Sequence, residues 1–215
     1  MSFDVAAEAY TRFMGRFSEP LAYEFAERAE IRPEQRVVDV GCGPGALTAE
    51  LVRRIGPAQI SAIDPSASFV AAVRDRFPDV DVREGRAERL PFPDASFDLA
   101  LAQLVVHFMT DPVAGLAEMG RVTRPGGAVG ACVWDHAGNA GPLSLFWDAV
   151  HDLDPNATGE AGLAGVAAGH LLELSRRAGL RDPAESRLTV NLTFASFRDW
   201  LEPKSYETIN AVCTD

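Results

Sequence analysis

A run of eleven residues, Val37-Val38-Asp39-Val40-Gly41-Cys42-Gly43-Pro44-Gly45-Ala46-Leu47, joins an apolar segment to a glycine-rich turn. The β-branched residues at its start predict a buried strand, and the residues after the glycines predict the start of a helix. Glycines at alternate positions permit positive φ and let a ligand approach the main chain without meeting Cβ atoms. The run therefore predicts a strand, a turn and a helix, with a ligand lying on the turn.

Two kinds of ligand fit this turn. The spacing Gly41-x-Gly43-x-x-Ala46 satisfies the loose dinucleotide pattern, in which a pyrophosphate lies on the amides that begin the helix. The fuller pattern starts with an acidic residue, Asp39, and continues with glycines two apart, while Pro44 removes one amide. These features suit a ligand with a ribose and a charged amino-acid tail better than a pyrophosphate, which needs several free donors.

The composition is that of a globular protein of ordinary size. The chain has 215 residues, 47% of them hydrophobic and 24% charged, which predicts a single domain with a full core. The formal net charge of −11 argues against a nucleic-acid partner, because binding to phosphates needs clustered Lys and Arg.

The chain shows no targeting or metal-binding pattern. The longest apolar stretch, residues 99–109, is much shorter than the roughly 20 residues of a membrane span, and the first residues do not read as a signal peptide. A cytoplasmic protein is therefore expected. Three scattered cysteines form no C-x-x-C pair, so neither a disulfide framework nor a metal site is predicted. Cys42 in the turn is interpreted as a small residue tolerated there rather than a nucleophile.

Predicted strands and helices alternate five times between residues 37 and 134. This order predicts an α/β fold with a doubly wound, Rossmann-like, mostly parallel sheet, helices on both faces, and a ligand crevice at the carboxyl ends of the strands. Candidate ligand-binding residues lie at or just after the ends of the predicted strands: Asp64, Ala87-Glu88, Gln103 and Asp135-His136. Asp64 lies 19 positions after Gly45, close to the separation of about 20 at which an acidic residue meets ribose hydroxyls.

The remaining segments complete a single domain, 1–215. Residues 1–30 predict an N-terminal helical cap of two short helices, either covering the sheet or forming a flap with Tyr10 and Arg16 in the pocket. Residues 33–135 form the ligand-binding core. The small-residue segment 136–170 after the fifth strand is interpreted as a substrate lid or as a plain surface insertion. Residues 171–215 predict a helix, a strand at 187–194 and a tail.

The chain resembles the class I S-adenosylmethionine-dependent methyltransferases, of the small-molecule UbiE and Methyltransferase-11 type. Four blocks carry the resemblance, at the turn (38–45), after the second strand (62–66), in the loop before the fourth strand (87–98) and around the turn before the fifth strand (118–127). Their order and separations make the resemblance specific over about residues 33–134. The tail departs from it, since no seventh strand is evident after Phe194.

The resemblance implies the cofactor S-adenosylmethionine, with S-adenosylhomocysteine as product, and a small-molecule methyl acceptor. The charge, the apolar stretches and the cysteines predict no nucleic-acid, membrane or metal partner, and a monomer or homodimer is expected. The turn would cradle the methionine part, Asp64 would accept hydrogen bonds from the ribose, and Ala87 and Glu88 would contact adenine. The cofactor-binding residues that the resemblance implies are Asp39, Gly41, Cys42, Gly43, Asp64, Pro65, Ala87, Glu88, Gln103 and Arg16.

Methyl transfer from a sulfonium requires few catalytic groups, because alignment and exclusion of water do most of the work. A base helps only where the acceptor loses a proton. His107, four residues after Gln103, is the nearest candidate, although a packed histidine fits the same position. Two alternatives stay open: a nicotinamide-dependent oxidoreductase, and a non-catalytic cofactor-binding or sensor protein of the same fold. The acceptor itself is not encoded in any motif.

Overall fold

The structure, a computed structural model, describes residues 14–196 and 198–199. Strands and helices alternate through its first half, as the hydrophobic pattern predicts. The strands are β1 Val37–Val40, β2 Ile60–Asp64, β3 Asp81–Glu84, β4 Phe97–Gln103 and β5 Thr123–Cys132. The helices are α1 Arg16–Arg28, α2 Ala46–Ile55, α3 Ala67–Arg76, α4 Pro112–Val122, α5 Ser144–Leu153 and α6 His170–Arg177, with short 3-10 turns at Pro57–Gln59, Val106–Phe108 and Glu160–Gly162.

The five strands form one parallel sheet in the order β3-β2-β1-β4-β5. The chain moves outward from β1 to β3, then crosses back to place β4 on the other side of β1. The order of the strands therefore reverses between β1 and β4, which is where ligands bind in sheets of this kind. The predicted α/β fold with a doubly wound parallel sheet is confirmed.

Helices cover both faces of the sheet because successive strand residues point to opposite sides. One core contains Val37 and Leu101 with the inner faces of α1, α2 and α3. The other contains Val38 and Ala102 with α4 and α6. Strands buried on both faces need continuous apolar runs, which explains the apolar residues 99–102 in the middle of β4. No helix among the described residues has the length and apolar character needed to cross a membrane.

Side-chain caps set the starts of the two helices that follow β2 and β4. Ser66 accepts a hydrogen bond from the amide of Phe69 at 3.4 Å, and Asp111 accepts one from Ala114 at 3.0 Å. Such caps satisfy amides that the first turn of a helix leaves unpaired. They hold the first turns of α3 and α4 beside the carboxyl edge of the sheet.

Helix α1, with Pro20 inside it, is the part of the predicted N-terminal helical cap that the described residues contain, and residues 1–13 lie outside them. Two predicted details differ from the structure. β5 begins at Thr123, before the predicted turn, and its pairing with β4 jumps from Phe97↔Thr123 to Leu99↔Ala128 around a bulge. The predicted strand at 187–194 was wrong.

Residues 187–194 have no assigned helix or strand, although their even-numbered side chains are half-buried and their odd-numbered ones exposed. The alternating pattern therefore identified which side packs inward, and Leu188 packs against the core beneath α1 and α2. Alternating hydrophobicity shows only which side chains are buried, whereas a strand also needs backbone hydrogen bonds to a neighbouring strand.

One guanidinium fixes the loop that precedes β4. Arg121 donates to the carbonyls of Leu90 and Phe92 at 3.0 and 2.9 Å, and it also pairs with Asp94 and Glu118. We expect Arg121→Lys to lower the free energy of unfolding by about 1–3 kcal/mol, or about 3–10 °C in Tm, since an ammonium cannot reproduce this fork of donors.

Thermal denaturation followed by circular dichroism measures this loss. Arg53→Lys is the matched control, because Arg53 is 60% exposed and pairs with Glu50 on the same helix. Its effect on Tm should be much smaller than that of Arg121→Lys, because exposed ion pairs contribute little to stability. Equal effects of the two substitutions would contradict a structural role for Arg121.

Candidate functional site

A cavity of about 620 Å³ opens at the carboxyl ends of β1, β2 and β4. Its volume lies in the usual range for small-molecule sites, about 300–1,000 Å³. Nine of the ten predicted cofactor-binding residues line it: Asp39, Gly41, Cys42, Gly43, Asp64, Pro65, Ala87, Glu88 and Gln103. They come from four separate segments that the parallel topology brings to one edge.

The glycine turn has the backbone that its sequence requires. Gly41, Gly43 and Gly45 have φ of +74°, +52° and +90°. A Cβ on Gly43 would meet no atom within 4 Å, so this side of the turn opens into the cavity. A Cβ on Gly41 would instead collide with the side chain of Val105. The two glycines serve different purposes, since Gly43 leaves space open in the cavity and Gly41 permits close packing against Val105.

The amides of this turn are already bonded within the protein. Those of Gly41 and Cys42 both donate to the carbonyl of Ile63, at 2.7 and 3.0 Å, and that of Gly45 donates to Cys42. The amide of Gly43 donates to the carboxylate of Asp64 at 2.9 Å, and Pro44 has none. A pyrophosphate needs free amides at such a turn, and this one supplies none between residues 41 and 45.

Asp39 is an almost fully buried carboxyl group on the cavity wall, 1% exposed. Its Oδ2 accepts a hydrogen bond from Thr48 Oγ1 at 2.6 Å, while its Oδ1 is buried without a partner. Burial raises the pKa of Asp39 to about 7, although the bond from Thr48 opposes the rise, and Asp64 adds to it. A cationic ligand group would satisfy Oδ1 and favour the ionised form.

Asp64 ends β2 and is held by two backbone amides. Its Oδ1 accepts from Ser66 at 2.8 Å, and its Oδ2 accepts from Gly43. Burial raises the pKa of Asp64, and these two bonds oppose the rise. The carboxylate is therefore oriented before any ligand binds, and it also ties the glycine turn to the start of α3.

Glu88 and Gln103 have protein partners as well as a place on the cavity wall. Glu88 Oε1 accepts from the amides of Thr110 and Asp111, at 2.7 and 3.2 Å, so its carboxylate shapes the loop before α4. Gln103 Nε2 donates to the carbonyl of Ser18 at 2.8 Å, which joins β4 to α1. Gln103 Oε1 is buried without a partner.

Three other candidates lie elsewhere. Arg16 is not among the residues lining the cavity, and it pairs with Asp199 at 3.3 Å. Tyr10 lies outside the described residues. His107 is 7% exposed, does not line the cavity, and contacts Phe108 with ring centroids 4.0 Å apart. Burial lowers the pKa of His107 to about 4, helped by His136, so at neutral pH its imidazole is neutral and holds a proton poorly.

Cys42 is not a reactive thiol. Burial, together with Asp39 and Asp64, raises the pKa of Cys42 far above its usual range. A thiol that stays protonated is a poor nucleophile. This agrees with the interpretation of Cys42 as a small residue at a crowded turn.

Several lining residues could not be found in the sequence. Ser18 reaches the cavity from α1, and Leu104, Val105, Phe108 and Met109 reach it from the segment after β4. In the sequence, the segment after β4 is an apolar run without a recognisable motif. One signal emerges only in the structure: Leu104 has φ of +61°, an uncommon conformation for a non-glycine residue that concentrates at functional sites.

The segment 136–170 packs beside the site without lining the cavity. Val166, 1% exposed, accepts a hydrogen bond from the amide of Ala137, and Ala164 packs against the core beneath β4 and β5. His136 lies 3.6 Å from Glu160 and 6.1 Å from the His107 ring. A lid over the acceptor stays a prediction.

Comparison with protein families matches residues 38–130 to a methyltransferase domain. The chain is similar to a malonyl-acyl-carrier-protein O-methyltransferase of Erwinia billingiae, 35% identical over 128 residues, and to the UbiE C-methyltransferase of ubiquinone and menaquinone biosynthesis of Burkholderia orbicola, 36% identical over 128 residues. The matches cover 60% and 55% of this chain, and 50% and 53% of those proteins. The chain thus spans about half the length of these relatives.

A solved structure gives a wider comparison. An S-adenosylmethionine-dependent methyltransferase of Thermotoga maritima, described as a possible histamine N-methyltransferase, has a TM-score of 0.54 at 26% identity. The match covers 80% of this chain and 79% of that one. The family match, residues 38–130, includes every residue that lines the cavity except Ser18.

Proposed function

The chain belongs to the class I S-adenosylmethionine-dependent methyltransferases through residues 38–130, and from this we propose that it transfers a methyl group from S-adenosylmethionine to a small-molecule acceptor. We further propose that residues 33–135 hold the methyl donor, with residues 1–30 as a helical cap and 136–170 as a lid on the acceptor side, within one domain.

One observation carries the proposal: two buried carboxyl groups, Asp39 and Asp64, stand behind a glycine turn whose amides are all bonded within the protein. Such a cavity is unsuited to a pyrophosphate and suited to a ligand with a cationic tail and ribose hydroxyls. The nicotinamide alternative finds no support in the turn or in the relatives.

Different residues contact different parts of this ligand. We propose that Asp39 Oδ1 attracts the cationic methionine end, while Asp64 accepts hydrogen bonds from the ribose. Ala87 and Glu88 form the wall for the adenine, held in place through Arg121 and the amide of Thr110. Gly43 leaves space for the methionine part beside the turn.

When bound, S-adenosylmethionine supplies a methyl group on a sulfonium sulfur. The leaving group is the neutral thioether of S-adenosylhomocysteine. The protein contributes alignment of donor and acceptor at about 3 Å and exclusion of water, which are large terms in such displacements. His107 is unsuited to remove a proton at neutral pH, because its pKa is low and it stands behind the cavity wall.

Calorimetric titration tests the proposal with three ligands: S-adenosylmethionine, S-adenosylhomocysteine and NAD. We expect heat of binding from the first two only. Binding of NAD without a response to the other two would overturn the proposal. Formation of S-adenosylhomocysteine with a panel of phenols, amines and carboxylates then separates an enzyme from a cofactor-binding sensor.

A further inference from the structure

Thr48 is a fully buried hydroxyl residue beside the donor site. It is the third residue of α2, which begins at Ala46, and it has no exposed surface. It is not among the residues that line the cavity. Buried hydroxyl groups are normally hydrogen-bonded within the protein, and the partner of this one is Asp39. Any influence of Thr48 on a ligand is therefore indirect.

The side chain of Asp39 points from β1 toward α2. Val37, two residues earlier on the strand, packs in the same core as Leu47 and Leu51 of α2, and side chains two apart on a strand share a face. There Thr48 Oγ1 donates to Asp39 Oδ2 at 2.6 Å. A hydroxyl group carries one proton, and this bond uses it. The bond joins the first turn of α2 to the carboxyl group on the cavity wall.

The described groups that act on the charge of Asp39 include no cation. Burial raises the pKa of Asp39 to about 7, and the Asp64 carboxylate at the end of β2 adds to the rise. Cys42 in the turn and Cys132 at the end of β5 also interact with Asp39, but burial raises the pKa of both thiols far above neutral, so they stay uncharged. In the described part of the chain, only the hydroxyl and the backbone amide of Thr48 lower the pKa of Asp39.

The bond from Thr48 favours one protonation state of Asp39. A donor stabilises a carboxylate more than a carboxylic acid, because hydrogen bonds to a charged acceptor are stronger. The other oxygen, Oδ1, has no partner among the described residues. We propose that Thr48 is a positioning residue that acts through Asp39: its hydroxyl holds the carboxyl group in the ionised form that the cationic end of the methyl donor requires. This inference rests on the proposed function, since it concerns the same ligand.

Titration of Asp39 in the ligand-free, full-length protein tests the inference directly. Thr48→Val keeps the shape of the side chain and removes the hydroxyl. The carbon-13 signal of the Asp39 carboxyl group, identified by its absence in Asp39→Asn, should titrate about one pH unit higher in Thr48→Val than in the wild type, because the lost bond changes the ionisation equilibrium about tenfold. Thr48→Ser keeps the hydroxyl and should titrate close to the wild type. Equal midpoints in the wild type and Thr48→Val would overturn the inference.

The binding of S-adenosylhomocysteine provides a second readout. A midpoint moved from about 7 to about 8 lowers the ionised fraction of Asp39 about fivefold at pH 7 but less than about twofold at pH 8.5. The Kd of Thr48→Val from calorimetry should therefore be about fivefold weaker than that of the wild type at pH 7 and within about twofold of it at pH 8.5. A purely structural defect would weaken binding by the same factor at both pH values, and that result would also overturn the inference.

Thr123→Val is the matched control. The Thr123 hydroxyl donates to the Met119 carbonyl at 2.7 Å, and Thr123 does not line the cavity. This substitution also removes a hydroxyl group and one short hydrogen bond, but the titration of Asp39 should stay as in the wild type. An equally raised midpoint in Thr123→Val would contradict a specific action of Thr48. Thermal melting shows which variants are folded, and Thr48→Ala, which also lacks the hydroxyl, replaces Thr48→Val where the latter is not.

The two readouts separate this inference from the proposed function. A wild-type protein that fails to bind S-adenosylhomocysteine refutes the proposed function, and the ligand-free titration then still decides the action of Thr48 on Asp39. Normal binding by the wild type, with an unchanged Asp39 midpoint in Thr48→Val, refutes the inference and leaves the methyl-donor site intact.

Discussion

Gly41→Ala is expected to lower the free energy of unfolding by about 2–5 kcal/mol and Tm by about 5–15 °C. The new Cβ would lie 2.6 Å from Val105 Cγ1 and still closer to Cγ2, on a backbone with φ of +74°. Steric overlap and backbone strain therefore act together. Because Val105 lines the cavity, its displacement should also weaken S-adenosylhomocysteine binding by about tenfold or more, for which about 1.4 kcal/mol of distortion suffices.

Two variants separate the strain from the overlap. Gly126→Ala has a similar φ, +83°, and no atom within 4 Å of the new Cβ, so it should lose only about 1–2 kcal/mol. Val105→Ala introduced into Gly41→Ala removes both Cγ atoms and leaves only Val105 Cβ, 3.0 Å from the new Cβ, so it should restore part of the lost stability. A Gly41→Ala protein as stable as Gly126→Ala would contradict close packing at Gly41. Thermal and urea denaturation provide both comparisons.

S-adenosylhomocysteine is expected to bind about tenfold more tightly at pH 8 than at pH 6, because Asp39 must lose its proton to pair with the cationic methionine end. The pKa of Asp39 is raised to about 7 by burial, with a contribution from Asp64. The ligand favours the ionised form, so below pH 7 binding must first displace a proton. Affinity falls about tenfold for each pH unit below that value.

Asp39→Asn should remove this dependence, because the ligand's own amino-acid ammonium group stays largely protonated between pH 6 and pH 8. Calorimetry in two buffers of different ionisation enthalpy should show proton release from the wild type alone at pH 6.5. Asp81→Asn is the control, since Asp81 is exposed on β3 and pairs with Arg83. Equal pH dependence in the wild type and Asp39→Asn would refute the role of Asp39.

The stability of the ligand-free protein provides an independent check. A carboxyl group whose pKa is raised on folding, here from 3.8 to about 7, stabilises the fold fully below its unfolded pKa, and this contribution is lost as pH rises through the folded pKa. The Tm of Asp39→Asn relative to the wild type should therefore increase from pH 5 to pH 8.

Much of the cavity wall was predictable because its signals are local. Glycines at 41, 43 and 45 predict positive φ. Acidic residues that directly follow apolar strands can be assigned to the cavity without a structure, because parallel strands end at the same edge of the sheet. The alternation of strand and helix, which reflects burial on two faces, predicted the sheet. The period-two alternation at 187–194 correctly indicated which side chains are covered, but it predicted a strand that does not form. A strand needs hydrogen bonds to a second strand, which comes from a distant part of the chain.

Contacts between distant segments were decided by the tertiary structure alone. The collision that makes Gly41 irreplaceable comes from Val105, and the Gln103 amide is oriented by Ser18, 85 positions away. Whether His107 faces the cavity or is buried behind it depends on how the 3-10 turn after β4 packs. The sequence by itself determined which residues meet at the carboxyl edge, because backbone conformation and burial periodicity are local. Side-chain direction and partners there were decided by packing, which is not local.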